Sequence, residues 1–201
     1  MNRLATATLL MLGISGCITP VSYHIPQTTP KGKVSAGAAL TFWGTMGVVA
    51  PYPLLAPFMR FGLTDNLDLG IGFEGLPIGG PTHLDVKYQF LQGGINGSLR
   101  VGIVAQLAGF VPYASLSFGT NVVYGGFGVQ YWSINAEPIV KMSTFAPQGF
   151  IGFMLGSGSA KFVPEINFMI PVSEVKVFGQ DLKGGIFFYK LGIGVAYIPS
   201  K

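Results

Sequence analysis

Eleven charged residues of this chain fall on one alternating face of the segments that carry them. They are Arg60, Lys87, Arg100, Lys141, Lys161 and Lys190, with Asp68, Glu74, Asp85, Glu137 and Glu165. The two signs nearly balance. Charges withdrawn from water are costly unless they pair, so the expectation is a salt-bridged set that plugs an interior. A selective pore would show an excess of one sign. The two histidines, His24 and His83, lack the three or four clustered ligands that a metal site needs. His83 lies beside Asp85, yet no serine is placed near it to form a nucleophile pair. No catalytic, metal or cofactor-binding residue is therefore assigned, and no enzyme is expected. Gly70-Ile71-Gly72-Phe73-Glu74-Gly75 has dinucleotide-binding spacing. Leu76-Pro77 follows it, so no helix N-terminus would meet a phosphate. Lumen crowding explains those glycines better. The single cysteine, Cys17, excludes disulfides.

These residues need strands to position them. Only 10% of the chain is charged, against about 25% in a typical globular domain, and the mean hydropathy is +0.52. Gly, Pro and polar residues interrupt every stretch after the first few residues that would otherwise suit a spanning helix. From Val34 onward the hydrophobic period is two. His83, Asp85, Lys87 and Gln89 alternate with Leu84, Val86, Tyr88 and Phe90. Asp68, Gly70, Gly72 and Glu74 alternate with Leu67, Leu69, Ile71 and Phe73. The pattern predicts about ten strands near Val34–Trp43, Pro53–Leu63, Leu67–Glu74, Thr82–Leu91, Gly97–Ala108, Pro112–Tyr124, Phe127–Met142, Gln148–Leu155, Ala160–Pro171 and Gly185–Ile198. Eight or twelve are the neighbouring even counts.

The bulky apolar face is nearly continuous, while the opposite face is rich in Gly, Ala and Ser. This favours an all-β, up-and-down antiparallel barrel with its apolar face toward lipid and a crowded polar lumen. Short turns at Thr64-Asp65-Asn66, Gly93–Gly97, Gly125-Gly126 and Gly156–Ser159 alternate with longer connections, an asymmetry of outer-membrane barrels. Trp43, Tyr52, Tyr88, Phe90, Tyr131, Trp132, Tyr189 and Tyr197 are candidates for interfacial aromatic girdles.

The first residues carry an address. Arg3 precedes an apolar stretch, Leu4–Gly13, that is too short to span a bilayer. Ile14-Ser15-Gly16-Cys17 then resembles the lipobox of bacterial lipoproteins. The resemblance implies a signal peptide over 1–16, cleavage before Cys17, and a covalent lipid (diacylglycerol on the thiol and an acyl group such as palmitate on the new terminus). Ile18 replaces the acidic residue that retains many such proteins in the inner membrane, which implies delivery by the lipoprotein-sorting machinery to the outer membrane. Residues 17–33, with Pro20, Pro26 and Pro30, read as a lipidated N-terminus and an extended tether. Residues 34–201 read as the barrel. The run Lys190-Leu191-Gly192-Ile193-Gly194-Val195-Ala196-Tyr197 resembles the terminal β-signal that the barrel-assembly machinery reads in outer-membrane barrels, although Ile198–Lys201 follow the aromatic.

The expected protein is thus a lipid-anchored outer-membrane barrel of the cell envelope. Its partners are outer-membrane lipids and the two machineries, with no nucleic acid and no surface partner specified. Its expected role is structural or surface-interacting, with outward loops such as Val172–Gly184. Three rivals are a narrow passive channel, a lipid-modifying enzyme, and a periplasmic lipocalin-like carrier with the alternation inverted.

Overall fold

Strict alternation commits each segment to a pleated surface with two unlike faces, and the structure closes that surface on itself. A computed structural model describes residues 23–45, 48–49, 53–74, 82–106, 109–136, 140–170, 175–177, 180–182 and 188–199. Ten strands form the wall. They are β1 Val34–Thr45, β2 Leu54–Gly62, β3 Leu67–Phe73, β4 Thr82–Leu91 and β5 Asn96–Gln106. The second half comprises β6 Gly109–Gly119, β7 Val123–Ala136, β8 Val140–Phe153, β9 Ala160–Met169 and β10 Phe188–Tyr197. Each pairs antiparallel with the next, and β10 pairs with both β9 and β1, closing the cylinder. Val48–Val49 pairs with β1, and a small hairpin, Val175–Val177 with Gln180–Leu182, extends the edge of β8.

The faces divide as the alternation predicts. On β4, His83, Asp85, Lys87 and Gln89 are buried, while Leu84 is 53% exposed and Tyr88 50%. On β10, Lys190 and Ala196 are buried, while Val195 is 63% exposed. Apolar side chains therefore wrap the outside, and the interior is largely polar, with one buried apolar cluster that includes Ala39, Ala56, Phe150, Met154 and Val163. A lipocalin-like carrier would need the opposite assignment.

Several boundaries differ from the sequence expectation, most of all between Gly109 and Phe153. Gly125-Gly126 lies within β7, not in a turn. A Cβ on Gly126 would stand 2.0 Å from the Leu116 carbonyl oxygen and 2.7 Å from the Phe150 ring, so close packing, not chain reversal, requires glycine there. The reversal is at Thr120–Val122, where Thr120 Oγ1 accepts the N–H groups of Val122 and Val123 at 3.1 and 3.2 Å. The stretch Ser143–Pro147, expected as a connection, belongs to β8. Pro147 pairs with Val129 within the β7–β8 ladder, and its carbonyl accepts Ile170 N–H at 3.0 Å just past the last β8–β9 pair, Gln148↔Met169, so its missing N–H faces the end of the β8–β9 ladder and costs β7 nothing.

Candidate functional site: a polar lumen occupied by the N-terminal segment

The lumen begins with the charges that strand parity turns inward. On the β2–β6 wall, Arg60 donates from Nε to Asp68 Oδ1 at 2.8 Å and from Nη2 to Asp85 Oδ1 at 2.5 Å. Arg100 Nη2 donates to Asp85 Oδ2 at 2.6 Å, and Tyr113 Oη donates to the same oxygen at 2.9 Å. Asp85 thus joins two guanidinium groups and a phenol. The Arg100 guanidinium also lies 5.5 Å from the Tyr113 ring centre. Lys87 Nζ stands 3.4 Å from Asp68 Oδ2. Nearer the long-connection rim, Lys190 reaches across from β10 to Glu74. These side chains need space, and β3 supplies it. A Cβ on Gly70 would lie 2.4 Å from Arg60 Nη1, and one on Gly72 would lie 2.2 Å from His83 Cε1.

The β7–β9 wall is built from amides. Trp132 Nε1 donates to Gln130 Oε1 at 2.9 Å, and Gln130 Nε2 to Gln148 Oε1 at 3.1 Å. Gln148 Nε2 donates to Asn167 Oδ1 at 3.0 Å, and Asn167 Nδ2 to Glu165 Oε1 at 2.9 Å. The chain of donors ends on a carboxylate, which accepts without donating. Buried networks of this kind hold their members in place when each is satisfied.

The segment read as a tether occupies the space between these walls. Tyr23–Pro26 and Thr28–Pro30 are buried inside the barrel. The chain crosses the short-turn rim at Gly62, where a Cβ would fall 2.1 Å from the Pro30 carbonyl oxygen. Gly32 N–H bonds to Gly62 C=O at 2.8 Å. Inside, lumen side chains take up the segment's backbone. Glu165 accepts the N–H of Tyr23 at 2.7 Å and of His24 at 2.9 Å. Gln89 accepts Thr28 N–H at 3.0 Å, and Asp68 accepts Thr29 N–H at 2.8 Å. Lys87 donates to the carbonyls of Ile25, at 3.2 Å, and Gln27. Arg100 donates to the carbonyl of Tyr23 at 3.4 Å. Two rings seat the inner end: Tyr23 stacks on Phe58 with centroids 5.0 Å apart, and His24 on Phe150 at 3.8 Å. The residues 23–30 are therefore an internal occupant, which corrects the expectation of an extended external spacer for this part of the segment.

No protein-family model and no curated protein matches this chain in sequence. Among solved structures, it is similar to the COG4313 outer membrane channel from Pseudomonas putida F1, at 9% identity over 89% of this chain and 99% of that one, with a TM-score of 0.48. It is also similar to the outer membrane protein OprG from Pseudomonas aeruginosa, at 16% identity, covering 86% and 98%, with a TM-score of 0.37. The N-terminal β-barrel domain of Pseudomonas aeruginosa OprF aligns at 12% identity over 83% and 98%, with a TM-score of 0.30.

The structure brings together Arg60, Asp68, Asp85, Lys87 and Arg100, and separately Glu74 with Lys190. Among the described residues, Glu165 makes no ion pair with a lysine or arginine. It serves two backbone amides, Asn167 and the Tyr124 hydroxyl, the last at 2.7 Å. Its contact with His24 Nδ1 is 3.5 Å. Lys161 stands apart at the short-turn rim and donates to the Gly156 carbonyl at 2.7 Å. Lys141 lies on β8 opposite Asn135. Cys17 and Glu137 fall outside the described residues. His83 sits 3.9 Å from Glu74 and 4.0 Å from Asp85, and among the described residues no serine is hydrogen-bonded to either histidine. Trp132 is fully buried in the lumen, so it belongs to the amide chain and not to a girdle. Sequence reasoning missed Gln130, Gln148 and Tyr124 as network members. Their inward parity was the available signal.

Proposed function

We propose that this chain is an outer-membrane β-barrel, closed at rest by its own N-terminal segment, with a structural or surface-interaction role. One observation carries the reading: the distribution of the two residue classes across the wall. Leu40, Met59, Leu84, Val101, Ile151 and Val195 lie on the exposed face, while Arg60, Asp85, Lys87, Arg100, Glu165 and Lys190 are buried. Water would penalise this arrangement on both sides, and a bilayer would favour the outer one. The opposed charges and the threaded segment together favour a closed lumen over an open pore.

The lipid anchor belongs to the same proposal. Cys17 is the acylated residue, and the two machineries implied by the lipobox and the terminal strand deliver and fold the chain. The role is non-enzymatic, and the longer connections form the interaction face. The test is twofold. Refolded full-length protein in detergent should migrate as a compact band that shifts on boiling, and should show no steady conductance in planar bilayers. A steady open level would overturn the closed reading. Metabolic labelling with palmitate should be lost in Cys17→Ser; retained label would place the anchor elsewhere.

A further inference from the structure

The occupant of the lumen is held unevenly. Its backbone is well served, by Glu165, Gln89 and Asp68 as acceptors and by Lys87 and Arg100 as donors. Among the described residues, however, no bond between the backbone of 23–29 and the backbone of the wall is present. The grip is made by side chains alone, which can release without breaking a strand ladder. The segment's own polar tips divide: Thr28 Oγ1 donates to the Asp65 carbonyl at 2.8 Å and Thr29 Oγ1 pairs with Ser35 Oγ at 2.7 Å, whereas three others are not served. Tyr23 Oη, His24 Nε2 and Gln27 Oε1 are buried with no hydrogen-bond partner among the described residues. Each such atom regains a partner in water. Tyr23 also adopts a φ of 59°, a left-handed conformation that a bulky side chain rarely takes. Withdrawal would satisfy three atoms and relax one residue, against the loss of these side-chain bonds and of the burial of Tyr23 and Ile25 in the apolar cluster with Ala39, Ala56, Phe150 and Val163, and it would break no strand ladder.

We propose that Tyr23–Pro30 is a displaceable gate, and that its withdrawal opens a polar passage for small peptide-like or zwitterionic solutes. The inference rests on the reading that the barrel spans a membrane. The space vacated is that of one extended chain, roughly 5 Å by 10 Å in section. The groups uncovered are those that now recognise peptide backbone. Glu165, Asp68 and Gln89 would face ammonium and N–H groups, and Lys87 and Arg100 would face carboxylate and carbonyl groups. A passage lined by both signs passes solutes that carry both and gives little selectivity between simple cations and anions.

The test uses the full chain carrying Tyr23→Gly, His24→Ser, Ile25→Gly, Thr28→Gly and Thr29→Gly, compared with the parent in planar bilayers. Folding is checked first by heat-shifted migration. Stepwise openings should appear at least about tenfold more often than in the parent, as expected when several hydrogen bonds and two ring stacks are lost. A synthetic peptide of residues 23–31 should then block them. A folded, inserted variant that stays silent overturns the gate, as do openings that the peptide leaves unchanged, since those would come from a loosened wall. Should that variant fail to fold, Glu165→Gln in the full chain takes its place, read by opening frequency alone, because the peptide would bind through the same carboxylate. Failure of the parent itself to insert would instead refute the membrane reading.

Discussion

Glu165→Gln is the sharpest single test of how the lumen holds its occupant. The carboxylate accepts from four donors within 2.9 Å, Tyr23 N and Asn167 Nδ2 on one oxygen and His24 N and Tyr124 Oη on the other, with His24 Nδ1 further off at 3.5 Å. An amide keeps one oxygen and turns the other position into a donor. The tolerable orientation points the new NH2 group at Tyr124, whose hydroxyl can rotate to accept, and leaves His24 N–H unserved. An orphaned buried N–H costs about 1–3 kcal/mol, and weakening two charge-assisted bonds adds about 1 kcal/mol each. Relief of the carboxylate's desolvation offsets part of this, leaving about 2 kcal/mol against the bound segment. That is about a 30-fold rise in local opening. Hydrogen exchange in detergent reads it directly. The amides of Tyr23 and His24 should exchange about 30-fold faster than in the parent, with strand amides of β4 and β5 as the internal reference. Exchange within about threefold of the parent at both positions would show that Glu165 does not hold the segment.

Three further outcomes follow from the geometry. Gly72→Ala should destabilise the barrel by about 1–3 kcal/mol through overpacking against the His83 ring, and His83→Ala should restore most of the loss in the double variant, read from urea midpoints of the folded band. Asp85→Ala leaves Arg60 and Arg100 facing each other without their shared carboxylate; the expected cost is about 3–5 kcal/mol in the same assay, and an unchanged midpoint would mean that the cluster is solvated. On the outer face, Leu84→Arg should lower refolding stability in lipid vesicles by about 2–4 kcal/mol, whereas Leu84→Val should be close to neutral. Equal tolerance of arginine would argue that this surface does not meet lipid.

The wall was readable because its signal is local and repeated. His83, Asp85, Lys87 and Gln89 announce their face within eight residues, and the same parity places Arg60, Asp68, Arg100 and Lys190 inside. Glycine and proline were less dependable. Gly125 and Gly126 look like a turn from sequence, yet Gly126 is required by the Leu116 carbonyl and the Phe150 ring of the neighbouring strands, the latter 24 positions away in the chain. Pro147 looks like a break, yet it pairs with Val129 and turns its missing N–H toward the end of the β8–β9 ladder. The lumen occupant was not legible at all. Residues 18–33 have the polar, proline-bearing composition of a spacer, and nothing within that stretch shows that Glu165, Gln89 and Asp68 accept its amides. Trp132 misled for a related reason. Its type suggests an interface, but its parity with Gln130 fixes it inside.

The separation between Tyr23 and Glu165 is 142 residues, and it bears on the order of assembly. The segment is synthesised before any strand, yet its deepest anchor lies on the ninth. Contacts that span so much chain form slowly, because the loop-closure entropy is spent before they contribute. The β1–β10 seam spans at least as much chain, from Thr45↔Phe188 to Ala36↔Tyr197, so refolding should show an early phase in which hairpins zip and a later phase in which the cylinder shuts and the leading residues dock. During the interval between them, the sheet would stand unrolled, with its first and last strands unpaired and no bore yet for the leading residues to enter.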